Sequence, residues 1–461
     1  MRILLITPAY RKTSERWMPL SVCYIAAALI ARGHQVKIID RYVLTAKHGI
    51  DATHRIMARE IKEFAPDITG FTTVTPVIHD TMEAVKIVRD ITASLIVLGG
   101  HHATAFPELT LHKIPEADAV IAGEGEESLV MLADNAPPET IPGLYWRGRN
   151  FRANPGRGSV VDLDSLPLPA YHLLDMDYYT QPNVFTIRPY YLRVGSVLAS
   201  RGCKNRCVYC TESLTYAQGL RCHNSDYVAD NVELLAKKHR CNGIAFLDND
   251  FLADRNWAEG ILKKMIARKL RRVMRFGIQS RVTNIDREIA RLLREAGCCK
   301  VEFGLETGDA ATLIRINKNA TTAAAEKTIG ILHDNRISVQ ANLMMGFEGE
   351  TVEMLDRTLK WVKSLRIDNF KWGMLRIYPG SRLYVDKGHG FVEENEWTRE
   401  NINGFFAADH LSNISGEERG KWLRTSLEPY KRYLHHRGIW RCNPLWDCMA
   451  HYYHALLAKR R

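Results

Sequence analysis

The stretch RGCKNRCVYCTES, residues 201–213, places Cys203, Cys207 and Cys210 within eight positions of a chain that holds ten cysteines. Three thiolates at C-x3-C-x2-C spacing can each hold one iron of a cubane cluster, and most such clusters take a fourth cysteine. Without the fourth, one iron stays open, as a catalytic zinc keeps one position free for its substrate. The spacing points to a [4Fe–4S] cluster that binds a further molecule. A zinc site is the alternative for the same thiols, since Cys222 lies twelve residues beyond Cys210 and His223 adjoins it. No second Cys-x2-Cys or His pair nearby completes a tetrahedral set.

The cysteine run directly follows an apolar segment, GSVLAS, that reads as a strand. Further strands are expected at GIAFLD, VMRFGIQ, KVEFGLE, SVQANLMM and FKWGMLRI, with helices near 225–238, 255–268, 286–296, 321–334 and 351–364. Six βα units in series over 195–385 predict a partial (β/α)6 TIM-type barrel, whose working groups sit at the C-terminal strand ends. Residues 1–140 show the same alternation: strands RILLIT, QVKIID, DITGFTT, SLIVLGG and ADAVIAG, with helices at 20–32, 52–64, 79–90 and 126–134. This predicts an α/β, doubly wound Rossmann-like domain with its ligand beyond the C-terminal strand ends. No G-x-G-x-x-G follows its first strand, so a dinucleotide is disfavoured. Residues 141–194, rich in Pro and Gly, read as a linker in which GLYWRGRNFRANPGRGSVVDL could form a hairpin. Residues 386–461 read as a small, mostly helical C-terminal segment carrying Trp397, Phe405, Phe406, Trp422, Trp440 and Trp446.

The 461 residues are 46% hydrophobic and 25% charged, ordinary for a globular protein. The longest apolar run, residues 22–31, is far below the ~20 residues that cross a bilayer, so no transmembrane segment is expected. The opening residues already read as a strand rather than a secretory signal, which favours a cytoplasmic protein with thiols and metal ligands over a disulfide scaffold. Cys23, Cys241, Cys298 and Cys299 sit in apolar patterns and are expected as small core residues. Lys and Arg exceed Asp and Glu by 63 to 52, and residues 429–461 hold seven Lys/Arg against one Asp. Nucleic acid, an anionic small molecule, a membrane surface or a solvated basic tail helix would each account for that excess.

With an aromatic, Tyr209, before its last cysteine, the run resembles the signature of the radical S-adenosylmethionine superfamily. The resemblance implies that the open iron chelates S-adenosylmethionine and that strand ends contact the rest of it. Those ends are FLDND (with Asp248 and Asp250), IQSR (Gln279 and Arg281), FGLET (Glu306) and MMGFEGET (Gly346). The last resembles a G-x-P-G-E-T segment with Glu348 in the proline's place, and RIYPGSRLY resembles a Y-P-G-T segment. Residues 1–140 in turn resemble the cobalamin-binding domain found ahead of many such enzymes. The matching segments imply cobalamin contacts from Thr73, Val74 and Thr75, from Gly99, Gly100, His101 and His102, and from Gly123, Glu124 and Gly125. A flavodoxin-like domain without cofactor is the alternative. Cobalamin domains of methyltransferases carry D-x-H-x-x-G after the first strand, whereas this chain has TPAYRKTSERW. The missing histidine implies cobalamin held base-off.

The family's most frequent reaction is methylation of an unactivated carbon by way of a 5′-deoxyadenosyl radical and methylcobalamin. A cobalamin-dependent cyclase or oxidoreductase, acting for instance on a tetrapyrrole, is the alternative. The implied partners are a hydrophobic or anionic small-molecule substrate, met by the C-terminal segment, and a flavodoxin- or ferredoxin-like electron donor. A tRNA-modifying methylthiotransferase would carry further cluster cysteines near its N-terminus, where this chain has only Cys23, so nucleic acid is disfavoured.

Overall fold

A computed structural model describes residues 1–9, 16–147, 151–154, 156–184, 186–188, 190–212, 216, 218–387, 397–398 and 411–431. Phe405, Phe406, Trp440, Trp446, the basic tail beyond residue 431 and residues 10–15 of the first loop lie outside them. The chain divides into two compact units. One comprises residues 1–179, 200–223 and the described part of 377–406; the other comprises 180–199, 224–376 and the described part of 407–461.

The first unit is built on a seven-stranded sheet: β1 (Arg2–Thr7), β2 (Gln35–Asp40), β3 (Ile68–Thr72), β4 (Leu95–Gly99), β5 (Ala119–Ile121), β6 (Leu144–Arg147) and β7 (Phe151–Ala153). The order is β2-β1-β3-β4-β5-β6-β7, with the first five strands parallel and the last two antiparallel. The 2-1-3-4-5 core is the flavodoxin-like doubly wound arrangement. Strand β1 is buried at every residue but Arg2, which is why it reads as an unbroken apolar run. The expected hairpin exists as β6 and β7, and it extends the sheet. Helices Leu20–Ala31, Ile50–Phe64, Ile78–Ile91 and Glu126–Ala133 stand where periodicity placed them. Shorter helices that periodicity did not place include Arg41–His48, His101–Ala105 and Pro107–Lys113. The first is fixed by features that periodicity does not register. Asp40 caps it by accepting the Val43 N–H, and the fully buried Arg41 guanidinium holds both oxygens of Asp80 at 2.6 and 3.0 Å.

The chain then contributes β8 (Val194–Val197) to a second sheet and returns to the first unit as a two-residue ribbon, β9 (Ser200–Arg201) with β10 (Arg221–Cys222). The second sheet continues with β11 (Gly243–Phe246), β12 (Arg275–Ser280), β13 (Cys298–Glu306), β14 (Ser338–Met345) and β15 (Asn369–Met374). Its six strands are all parallel, in the order β8-β11-β12-β13-β14-β15, a partial (β/α)6 barrel. The connecting helices start at Asn224, Asp254, Asp286 and Thr321, whose side chains accept backbone N–H groups of the first turn. Along β13 and β14, Val301, Phe303, Leu305, Val339, Ala341 and Leu343 are buried on one face. Lys300, Glu302, Gln340 and Asn342 are at alternate positions. Lys300 donates to Glu302 at 2.5 Å, Gln340 donates to Glu302 and Asn342 at 2.9 Å each, and Asn369 donates to Gln340 at 3.1 Å. Cys23, Cys241, Cys298 and Cys299 are buried as expected. Among the described residues, no helix is long and apolar enough to cross a membrane.

Candidate functional site

Cys203, Cys207 and Cys210 are half-buried on the loop that the ribbon β9–β10 closes. A turn brings the Cys210 N–H to the Cys207 carbonyl at 3.1 Å, and Asn205 directs its backbone N–H and its side-chain amide at the Cys203 sulfur, at 3.4 and 3.5 Å. Burial pushes the Cys210 thiol up to about 11; Glu212 and the neighbouring thiols Cys207 and Cys203 push in the same direction against the Glu212 N–H. Three soft donors share one loop, with N–H groups aimed at the Cys203 sulfur, the donor chemistry that suits a cluster holding them as thiolates. Among the described residues, no three such side chains already converge as a metal site. Val208 accepts the Leu383 N–H at 2.8 Å, so the helix Arg382–Lys387 braces this loop beside Tyr209. His223, the alternative zinc donor, is 3.2 Å from Asp164 and stacks on Tyr24 at 6.2 Å. Burial, opposed by Asp164, holds its ring down at about 4.

The base of the cysteine loop is tied to the loop after β5. Arg201 donates to Glu124 at 2.6 Å and to Glu126 at 2.7 Å, and Arg221 donates to the other Glu124 oxygen at 2.7 Å. Glu124 also accepts the Val160 N–H at 2.9 Å. Burial works against the charge on Glu124 and on Arg201, and the opposite charges overcome it: the Glu124 carboxyl is lowered and the Arg201 guanidinium raised. The side chain of Glu124, expected at cobalamin, is thus engaged by the cysteine loop. Sequence reasoning missed Arg201, Arg221 and Glu126, and the available signal was two arginines bracketing the cysteines.

Residues from the ends of β3, β4 and β5 gather at one edge of the first sheet. Thr73 donates its N–H and its hydroxyl to the Gly99 carbonyl, both at 2.7 Å, and its hydroxyl accepts the Ala103 N–H at 3.0 Å. Gly100 has φ +94°, and a Cβ there would lie 2.6 Å from the Thr73 carbonyl. A Cβ on Gly123, φ +97°, would lie 2.4 Å from the Gly158 carbonyl. Both glycines are therefore demanded by neighbouring protein backbone. His102 is fully buried, its Nδ1 is 3.1 Å from the Thr75 hydroxyl, and burial drives its ring down to about 3. Its Nε2 has no hydrogen-bond partner among the described residues, and Trp397 meets the ring edge-on at 4.5 Å. His101 is exposed beside it, Val74 is half-buried, and Gly125 opens the helix Glu126–Ala133. An orphaned ring nitrogen among three strand-end loops fits a bound polar group.

At the strand ends of the second unit, Asp248 is buried and accepts the Ala199 N–H at 3.3 Å. Asp250 is bonded by Ser280 at 2.9 Å and by Asn284 at 3.0 and 2.9 Å, with Arg281 close enough to act on its charge. Gln279 is exposed although it lies in a central strand. Glu306 has φ +63° beside a register shift in β13, a conformation that costs a non-glycine residue energy. Lys318 pins its carboxylate at 2.6 Å. Gly346 donates its N–H to Glu350 at 2.6 Å. Arg281, Gly304 and Lys318 line one small cleft.

Residues 197–362 match the radical SAM superfamily, and residues 7–133 match the B12 binding domain. The chain belongs to the radical SAM superfamily, as a member with an N-terminal B12 binding domain. The two matches make S-adenosylmethionine and cobalamin its cofactors. An uncharacterized methyltransferase of Pyrococcus horikoshii is 31% identical over 395 residues, which is 83% of this chain and 82% of the relative. An anaerobic magnesium-protoporphyrin IX monomethyl ester cyclase of Rubrivivax gelatinosus is 27% identical over 456 residues, covering 95% of this chain and 78% of the relative. The solved structure of the radical S-adenosylmethionine methyltransferase TsrM from Kitasatospora setae, with cobalamin and a [4Fe–4S] cluster bound, shares the fold. Its TM-score is 0.68 at 18% identity, over 84% of this chain and 74% of that one.

Proposed function

We propose that this protein is a C-methyltransferase that acts on an unactivated carbon of a small molecule. The observation that carries the reading is the cysteine loop braced against a B12-type sheet, in a chain 31% identical to a methyltransferase. When bound, the cluster with S-adenosylmethionine supplies hydrogen abstraction, and cobalamin supplies the methyl group. Cys203, Cys207 and Cys210 hold the cluster and leave one iron to S-adenosylmethionine. Tyr209, Asp248, Asp250, Gln279, Arg281, Glu306 and Gly346 orient S-adenosylmethionine. Asp250 does so indirectly, because Ser280 and Asn284 already fix its carboxylate next to Arg281. Residues 73–75, 99–102 and 123–125 seat cobalamin, base-off, with Glu124 contributing backbone rather than its carboxylate. The polar positions Lys300, Glu302, Gln340, Asn342 and Asn369 favour a polar or anionic substrate, since barrel interiors are ordinarily filled by branched apolar side chains. A flavodoxin- or ferredoxin-like protein supplies electrons, and the setting is cytoplasmic.

The test uses anaerobically reconstituted protein, methyl-labelled S-adenosylmethionine and a small-metabolite extract. Wild type should hold about four irons and form a labelled product with S-adenosylhomocysteine and 5′-deoxyadenosine in equal amounts. The triple variant Cys203→Ala, Cys207→Ala, Cys210→Ala should hold almost no iron and make neither product. A coupled product that gains no methyl group would instead establish the cyclase reading, which the 27% identity to the Rubrivivax enzyme favours.

A further inference from the structure

The ribbon that closes the cysteine loop contains an arrangement that should push itself apart. Arg201 and Arg221 are register partners across β9 and β10, so two guanidiniums stand opposite each other at the neck of the loop. Like charges directly across an antiparallel pair are destabilising. These are also poorly solvated: the Arg201 side chain is 4% exposed and that of Arg221 11%. One carboxylate lies against both. Glu124, itself 3% exposed, gives one oxygen to each arginine, at 2.6 and 2.7 Å. Glu126 takes the second Arg201 nitrogen at 2.7 Å, and Arg221 also reaches the Val160 carbonyl. Tyr24 lies under Arg201, its ring centre 5.0 Å from the guanidinium carbon, and the half-buried Tyr216 is near enough to feel its charge. Two positive and two negative charges thus close on one another with little water, the arrangement in which losing one partner costs most.

We propose that Glu124 is a positioning residue that holds the neck of the cysteine loop shut by neutralising two opposed arginines. The loop after β5 therefore sets the geometry of Cys203, Cys207 and Cys210 from within the B12 binding domain. Only the iron readout below rests on the reading of these cysteines as cluster ligands; the neck itself does not.

The prediction turns on the sign of a double substitution. In full-length protein, Glu124→Gln leaves the arginines facing each other, and amide exchange across residues 202–220 should quicken by about tenfold or more. Adding Arg221→Gln removes the repulsion, so the double variant should exchange more slowly than Glu124→Gln alone, although it has lost more hydrogen bonds. A merely structural contact predicts the reverse order. Iron loss to a chelator from reconstituted protein should follow the same ranking. Should Glu124→Gln not fold, Glu124→Asp supplies the test: it should loosen the neck severalfold, and Glu124→Asp with Arg221→Gln should tighten it again. Exchange in the double variant as fast as in the single one, or wild-type exchange in Glu124→Gln, would overturn the proposal. A wild type that takes up no iron while the exchange ranking holds would defeat the cluster assignment and leave the neck standing.

Discussion

Glu306 and Lys318 show what was legible at the scale of single residues and what was not. The carboxylate at the end of β13 could be read from the sequence as a candidate contact. Its left-handed backbone and the lysine twelve residues on that neutralises it could not, because neither leaves a local pattern. The pair is nearly closed to solvent, with side chains 11% and 8% exposed. Lys318→Met should therefore leave a buried carboxylate without its counter-charge and cost about 3–5 kcal/mol, read as a lowered midpoint of chemical denaturation. Adding Glu306→Gln should recover most of the loss. A loss below about 1 kcal/mol would mean that water reaches the carboxylate after all. That the three cysteines would share one loop was legible in their mutual spacing. Arg201 was not, since its partner Glu124 is 77 residues away.

Among the elements, strands and long helices were read nearly to their ends, because a parallel sheet covered on both faces writes continuous apolar runs and its helices write a 3.6-residue period. The helices His101–Ala105 and Pro107–Lys113 were missed because five and seven residues hold too few turns to show a period. The turn after β14 carries a further consequence. Burial lifts the Glu350 carboxyl from 4.5 to about 7, and the Gly346 N–H and Arg419 offset only part of it. Between those values the folded protein holds a proton that the unfolded chain has released. The stability associated with the neutral acid is complete below the unfolded value and is lost as pH rises through the folded one. Glu350→Gln, always neutral and still able to accept the Gly346 N–H, should flatten the fall in Tm between about pH 5 and about pH 8. It should melt above wild type at the higher pH. An unchanged slope in thermal melts would show that Glu350 titrates normally.

Across the whole molecule, neither compact unit is one continuous stretch of chain. The hydrophobic core of the first sheet reaches Ile141, Leu144 and Ala170, all buried, beyond the last parallel strand. A fragment of residues 1–179 should therefore exceed one of residues 1–140 in stability by about 5 kcal/mol, the worth of burying those three side chains. Comparative thermal denaturation checks this, and equal melting would mean that the sheet closes without them. The sequence could not disclose the interleaving, since composition and periodicity describe segments and say nothing of which distant segments share a core.

The distance along the chain from Glu124 to its two arginines also orders events during synthesis. Glu124 leaves the ribosome 77 residues before Arg201 and 97 before Arg221. At about 5–20 residues per second, its carboxylate waits roughly 5–20 s for the second arginine. Through that interval the charge has to stay hydrated, so the loop after β5 cannot adopt its final buried form. The cysteines at 203–210 emerge before the strand that closes their loop. Iron delivered to the nascent chain would meet thiols on an open, unanchored segment. On the proposed reading of these cysteines as cluster ligands, assembly would belong after translation has passed residue 221, and the timing of iron delivery would matter as much as its supply.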